Sequence, residues 1–282
     1  MRAVTAAILM TVAACSPTGS VPTTIVETTE ASPSSTSTSL PAPGCPDSAD
    51  FVEQGRILRS DQAETDSAIV GLISWSESPA CERFEISFET AQGAPATTPP
   101  DVRVQFISTL QVIRVHLGSS GAIISDQIVE TVMVDRLFVV QKLDGNTFVD
   151  FHLRQPARAR ARVSGSPARV ILDLQPGTGV FDGSAAIAGD VVMTGPADGA
   201  STATNIEVSG YAISSSGQVM VIATADGRVV AESTIAVGGS TDEWSEYRTR
   251  LSLPVGVTTI FAGEPNPVDG GLKGVTVGIE VR

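Results

Sequence analysis

The chain has 282 residues, 31 of them acidic and 18 basic, for a net charge of -13 at pH 7. That balance argues against nucleic acid as a partner, since phosphate neutralisation needs clustered basic charge, and it keeps an exported protein soluble. The length suffices for two domains of ordinary size after a leader and a tether.

The first predicted element is the apolar run Ala3 to Ala14, which ends at Val12-Ala13-Ala14-Cys15. It is too short to span a bilayer, which takes roughly 20 apolar residues, and it has the length of a signal h-region. The pattern of an apolar residue, two small residues and a cysteine resembles a bacterial lipobox. A signal peptidase must fit small side chains beside the scissile bond, and the acyltransferase needs a free thiol there. The resemblance implies that residues 1–14 are a lipoprotein signal peptide and that Cys15 becomes the acylated N-terminus. The bland alternative is an ordinary secretory leader in which Cys15 is incidental. No later segment has the length and apolarity to cross a membrane, so the expected anchor is lipid alone, and stable attachment then takes more than one acyl chain. This places the protein outside the cytoplasm, tied to the cell membrane or envelope.

Residues 15–44 form the lipidated cysteine and a Ser/Thr/Pro-rich linker that includes Ser32-Pro33-Ser34-Ser35-Thr36-Ser37-Thr38-Ser39. It has almost nothing apolar to bury and cannot offset its ordering entropy, so it reads as a disordered tether. Of the three cysteines, Cys45 and Cys81 remain once Cys15 is assigned to lipid. An even remainder outside the cytoplasm reads as one disulfide, and closing that loop stabilises by about 3–4 kcal/mol in the chain-entropy view. The alternative is two buried thiols. Two isolated cysteines and two distant histidines make no zinc spacing, and the expectation is no metal and no cofactor.

Residues 45–176 alternate polar and apolar side chains in many short runs. Arg83-Phe84-Glu85-Ile86-Ser87-Phe88-Glu89 is one, Val112-Ile113-Arg114-Val115-His116-Leu117 another, and Thr147 to Arg154 puts Val149, Phe151 and Leu153 on one face. Period two means strands with one buried face. Asp144-Gly145 is a hairpin signal, and Asp50–Leu58 reads as a short helix. After the turn cluster Gln175 to Gly179, residues 185–282 give seven candidate strands: Ile187–Met193, Thr204–Ala212, Val219–Ala225, Arg228–Ile235, Tyr247–Leu253, Thr258–Ala262 and Val275–Val281. Asp226-Gly227 marks a second hairpin. Seven short strands in about a hundred residues read as an immunoglobulin-like sandwich, with Trp244 and Tyr211 expected in its core. The predicted fold class is all-β, with two β-rich domains.

Both regions resemble known families. Ile206-Glu207-Val208-Ser209-Gly210-Tyr211-Ala212, Asp226 to Glu232, the pair Trp244 and Tyr247, and Pro267-Val268-Asp269-Gly270 are similar to the immunoglobulin-like domain of bacterial spore-germination proteins. Ser214-Ser215-Ser216 departs from it. Val112-Ile113-Arg114-Val115, Phe138-Val139-Val140, Phe148 to Leu153 and Pro167 to Leu174 more loosely resemble the AMIN-like domain of envelope lipoproteins. The second resemblance implies a β-rich module that localises a protein to the cell wall or binds its polymers. Neither implies catalysis, and neither implies sporulation.

Catalytic chemistry is hard to find. His116 and His152 are the only imidazoles, and both sit on the polar face of their strands. His152 and Asp150 do not make a triad from one strand, and no Gly-x-Ser-x-Gly elbow exists. The constellation that stands out is Arg154, Arg158, Arg160 and Arg162, the last three spaced by two and so on one face of a strand. Guanidinium forks suit carboxylates and phosphates, so the stripe is a candidate anion-binding site. The alternative is a solvated edge or pairing with the protein's own acids. The expected function is that of a non-catalytic, lipid-anchored envelope protein that binds peptidoglycan, another anionic envelope polymer or an envelope protein partner. A second reading is an accessory subunit of an envelope enzyme, and a third, weaker one is a cell-wall hydrolase.

Overall fold

Twenty strands and no α-helix make up the described part of the chain. The computed structural model describes residues 50–62, 64–78, 81–107, 110–118, 121–122, 126–142, 144–179, 185–238, 242–266 and 270–282. The signal peptide, the linker and Cys45 therefore lie outside the described residues. The first strands are β1 (Arg56–Ser60), β2 (Ile69–Ser78), β3 (Cys81–Glu89), β4 (Val102–Ile107), β5 (Val112–Leu117), β6 (Gly121–Ala122) and β7 (Asp126–Ile128). They are followed by β8 (Val134–Gln141), β9 (Thr147–Leu153), β10 (Ala157–Ser164) and β11 (Arg169–Pro176). The C-terminal half holds β12 (Ala186–Ala188), β13 (Val191–Gly195), β14 (Ser201–Thr202), β15 (Asn205–Ala212) and β16 (Gln218–Ala225). It ends with β17 (Arg228–Ala236), β18 (Trp244–Ser252), β19 (Gly256–Pro265) and β20 (Leu272–Val281).

Three sheets result. One ten-stranded sheet runs β1-β4-β5-β9-β8-β18-β15-β13-β12, with β7 also on β8. A five-stranded sheet, β10-β11-β3-β2-β6, covers its N-terminal part, and another, β14-β20-β19-β16-β17, covers its C-terminal part. The N-terminal core takes the inward positions of alternating strands: Ile113, Val115 and Leu117 of β5, Val149, Phe151 and Leu153 of β9, and Phe84 and Ile86 of β3. The C-terminal core is built the same way from Val208, Tyr247, Leu251, Val221, Ile260 and Val277.

Local signals explain the hairpins. Asp226 and Gly227 both have positive φ, at 50° and 73°, which is the backbone a tight two-residue hairpin needs, and β16 pairs β17 across them. Gly145, at φ 81°, turns β8 into β9. Two expectations fail for physical reasons. Asp50–Leu58 is not a helix: Val52 exchanges two hydrogen bonds with Ala159, at 3.0 and 2.8 Å, and Gly55, at φ 73°, turns the chain into β1. Ile187–Met193 is not one strand but a hairpin of β12 and β13, turned at Gly189 with φ 57°.

The two halves share more than a linker. β18 pairs β8 in parallel, Trp244 opposite Val140 and Ser245 opposite Gln141, so one sheet passes through both. Beside this join, the outward faces of the flanking strands meet. Phe138, Val140 and Phe148 form a third apolar cluster with Val192, Tyr211 and Trp244. The ten-stranded sheet is therefore folded over at the β8–β18 join, and both halves belong to one compact unit. Trp244 and Tyr211 thus lie at the junction rather than in the C-terminal core.

Candidate functional site

The arginine stripe lies on the outer face of the five-stranded N-terminal sheet. Ala157, Ala159 and Ala161 of β10 point into the core, while Arg158, Arg160 and Arg162 alternate with them. The register sets Arg160 opposite Asp173 and Asp173 opposite Arg83. Asp173 is 1% exposed and gathers three guanidinium groups, with Arg83 at 2.6 Å, Arg160 at 3.0 Å and Arg162 at 3.5 Å. Arg158 and Arg160 also lie over the Phe51 ring, at 5.8 and 5.5 Å from its centroid. Arg154 does not join them: it reaches Asp135 at 3.8 Å and the carbonyl of Thr131 at 3.4 Å. Two of the three stripe arginines are thus engaged by a carboxylate of the same sheet. Cys81 is buried at the start of β3, and its expected partner Cys45 lies outside the described residues.

A different site opens at the fold of the ten-stranded sheet. A cleft of about 750 Å³ runs between β4 and β5 on one side and β15, β18 and the 194–200 loop on the other. Its volume falls within the ~300–1,000 Å³ typical of small-ligand sites. Arg114 of β5 lies on its floor. Asp150, directly opposite on β9, accepts hydrogen bonds from Nε and Nη2 of Arg114, both at 2.7 Å. The Arg114 guanidinium also lies 3.9 Å from the centroid of the Phe148 ring. Its side chain is 12% exposed, and that of Asp150 is fully buried. Asp150 takes Nε and Nη2, and Nη1 has no hydrogen-bond partner among the described residues. Burial drives Asp150 above the ordinary carboxylate range, and the Arg114 charge opposes that rise. Burial also acts against the charge on Arg114, but the Asp150 carboxylate outweighs it and holds the guanidinium above its usual value.

The facing wall carries alternate charges. Register places Tyr211 opposite Glu246 and Ser209 opposite Arg248. Arg248 stands between two acids, 3.4 Å from Glu207 and 3.4 Å from Glu246. These pairs are long for charge-assisted hydrogen bonds, which run at roughly 2.7–2.9 Å, so the carboxylates keep accepting capacity. The wall depends on Gly210. A Cβ there would fall 2.0 Å from the Val192 carbonyl and 2.5 Å from the Tyr247 hydroxyl, which itself donates to that carbonyl at 3.0 Å.

The histidines are not exposed. His152, 2% exposed, hydrogen-bonds the Tyr211 hydroxyl through Nε2. Burial first, then Arg114 and Arg136, push its pKa down to about 3. His116 lines the cleft; burial, then the charges of Arg114, Lys142 and Arg103, push it down to about 4. Both imidazoles are therefore neutral near pH 7. Both occupy the polar strand face that the alternation predicts, and that face is the one the sheet folds over. Arg114 and Asp150 were visible as polar positions of two alternating runs, but nothing local announced that these strands pair in register. Among the described residues no group of three or more His, Cys, Asp or Glu is placed to hold a metal ion, and no helix is long and apolar enough to cross a membrane.

No family model, no curated protein and no solved structure matches the chain.

Proposed function

We propose that this chain is a non-catalytic, lipid-anchored protein of the cell envelope that works by binding, with the cleft as its ligand site. The observation that carries this reading is the Arg114–Asp150 pair on the cleft floor. A guanidinium held by two hydrogen bonds and an aromatic ring is positioned before any ligand arrives, so little ordering cost falls on binding. The leader and Cys15 supply the anchor, and the linker over residues 15–44 supplies reach. In this reading, residues 45–176 are the AMIN-like module and residues 185–282 the immunoglobulin-like module, with cell-wall material as the target.

The absence of catalysis in this reading rests on how the cleft's charged groups are committed. Arg114 is tied to Asp150, and Arg248 lies between Glu207 and Glu246. His116, low at about 4, is a weak base where a general base needs a pKa near the working pH. The test is incubation of the full protein with isolated cell wall. Co-sedimentation without release of soluble fragments is expected; fragment release would make the protein a hydrolase, and failure to sediment would remove the wall as its target.

A further inference from the structure

The cleft has charge of both signs on opposite sides, and that pattern narrows the ligand. Arg114 presents Nη1 from a fixed guanidinium, with Nε and Nη2 already bound to Asp150. On the facing wall, Glu246 is 18% exposed, and its one ion pair among the described residues is the 3.4 Å contact with Arg248. Its charge is felt at both Arg114 and Asp150. The two arginines of the lining are outnumbered by acids once Glu207, Glu246 and Asp198 are counted with them. A phosphate or other dianion would therefore meet net repulsion. A lone cation would suit the acids but leave Nη1 of Arg114 without a partner. A ligand with one carboxylate and one ammonium satisfies both ends.

We propose that the cleft takes a zwitterionic ligand, an amino acid or short peptide, with its carboxylate on Nη1 of Arg114 and its ammonium on Glu246. The inference rests on the reading of the cleft as the binding site. With a volume of about 750 Å³, the cleft is larger than the two charged ends alone require. Ser209, Thr194 and Gln105, which also line it, offer hydrogen bonds to peptide groups of the ligand. Replacing an ammonium by an amide removes a charge-assisted hydrogen bond and leaves Glu246 unmatched, and amidating the carboxylate does the same at Arg114.

The test is calorimetric titration of the full-length protein in detergent with a pool of free tripeptides. The same pool is titrated N-acetylated and, separately, C-amidated, and peptide-free glycan strands serve as a fourth probe. The free pool should bind, and each modification should weaken binding by roughly tenfold or more, the cost of one such contact. Glu246→Gln should bind the free and acetylated pools alike, and Arg114→Lys should discriminate less between the free and amidated pools. Glu246 is partly exposed, so its variant tests the proposal even where Arg114→Lys fails to fold. Equal binding of free and modified pools overturns the inference. Binding of glycan strands without peptide overturns it too, while leaving the cleft a binding site. No binding by any probe overturns both.

Discussion

Nε2 of His152 and the hydroxyl of Tyr211 share a hydrogen bond across the junction of the two halves. His152 belongs to β9 and Tyr211 to β15, 59 residues apart, and both are buried. Nδ1 of the same imidazole is buried with no partner among the described residues, so Tyr211 provides the histidine's one hydrogen bond there. Tyr211→Phe would leave Nε2 unsatisfied as well. The expected cost is about 1–3 kcal/mol, read as a lower midpoint in urea, with no change in the far-UV spectrum. An unchanged midpoint would mean that the hydroxyl contributes nothing to the junction.

The same residue makes the junction sensitive to acid. His152 is held at about 3 and His116 at about 4 against an ordinary value of 6.5. The unfolded chain therefore binds more protons than the folded one between those values and 6.5. The histidine contribution to stability is complete above about pH 6.5 and is lost as pH drops below it, by up to about 1.4 kcal/mol per pH unit for each histidine. Glu82 and Asp150, raised by burial from ordinary values of 4.5 and 3.8, act with the opposite sign above those values, so the informative quantity is the difference between parent and variant. A His116→Gln/His152→Gln protein should lose most of the decline between pH 6.5 and 4. Parallel melting curves for parent and variant across that range would show that the histidines are not the source.

Trp244 packs edge-on against Phe138, with ring centroids 5.0 Å apart. Trp244→Ala should cost about 3–5 kcal/mol, the usual penalty for removing a buried aromatic ring. Because Trp244 belongs to the junction cluster, the loss should fall on the coupling of the halves. Unfolding should separate into two transitions, while the C-terminal core around Tyr247 and Val208 persists. A single, uncoupled loss of that core would put the indole in the C-terminal core instead of the junction.

On the outer arginine face, Asp173 distinguishes its partners. Arg160→Gln removes a 3.0 Å contact from a side chain that is 21% exposed, whereas Arg162→Gln removes a 3.5 Å contact from one that is 45% exposed. Solvent screens the second more strongly, so Arg160→Gln should destabilise by about 1–3 kcal/mol and Arg162→Gln by well under 1 kcal/mol. Arg83 keeps Asp173 paired in both variants. The reverse order in thermal melts would contradict this account of the face.

The strands themselves were legible. Alternation along Arg83–Glu89, Val112–Leu117 and Thr147–Leu153 marks inward and outward positions, and the inward ones are those of the N-terminal core. Asp144-Gly145 and Asp226-Gly227 announced their turns because positive φ favours those residues. What was not legible was long-range. The β8–β18 join is a two-residue parallel contact between segments about a hundred residues apart, and no local pattern encodes it. His152 shows the consequence: the alternation puts it on the polar face, yet that face is buried because the sheet folds over it. Arg114 and Asp150 were equally hidden, since an ion pair across two strands depends on register, which the alternation alone leaves open.

The anchor is tested at the other end of the chain. Cys15→Ser should abolish lipid labelling and release the exported protein from membranes, because one acylated cysteine is the proposed attachment. In the same exported material, mass spectrometry without reductant should find Cys45 linked to Cys81. Membrane retention of the processed variant contradicts the anchor, and two alkylated thiols contradict the pairing.

The central claim is that the cleft of the folded-over sheet is where this protein binds. Ser209 lines that cleft opposite Arg248, and an indole in its place would fill much of the space between the walls. The direct measurement is co-sedimentation of Ser209→Trp with isolated cell wall, beside the parent and with melting followed to confirm the fold. Loss of wall binding at an unchanged melting temperature is the predicted result. Wall binding equal to the parent's, with the cleft filled and the fold intact, would contradict the account.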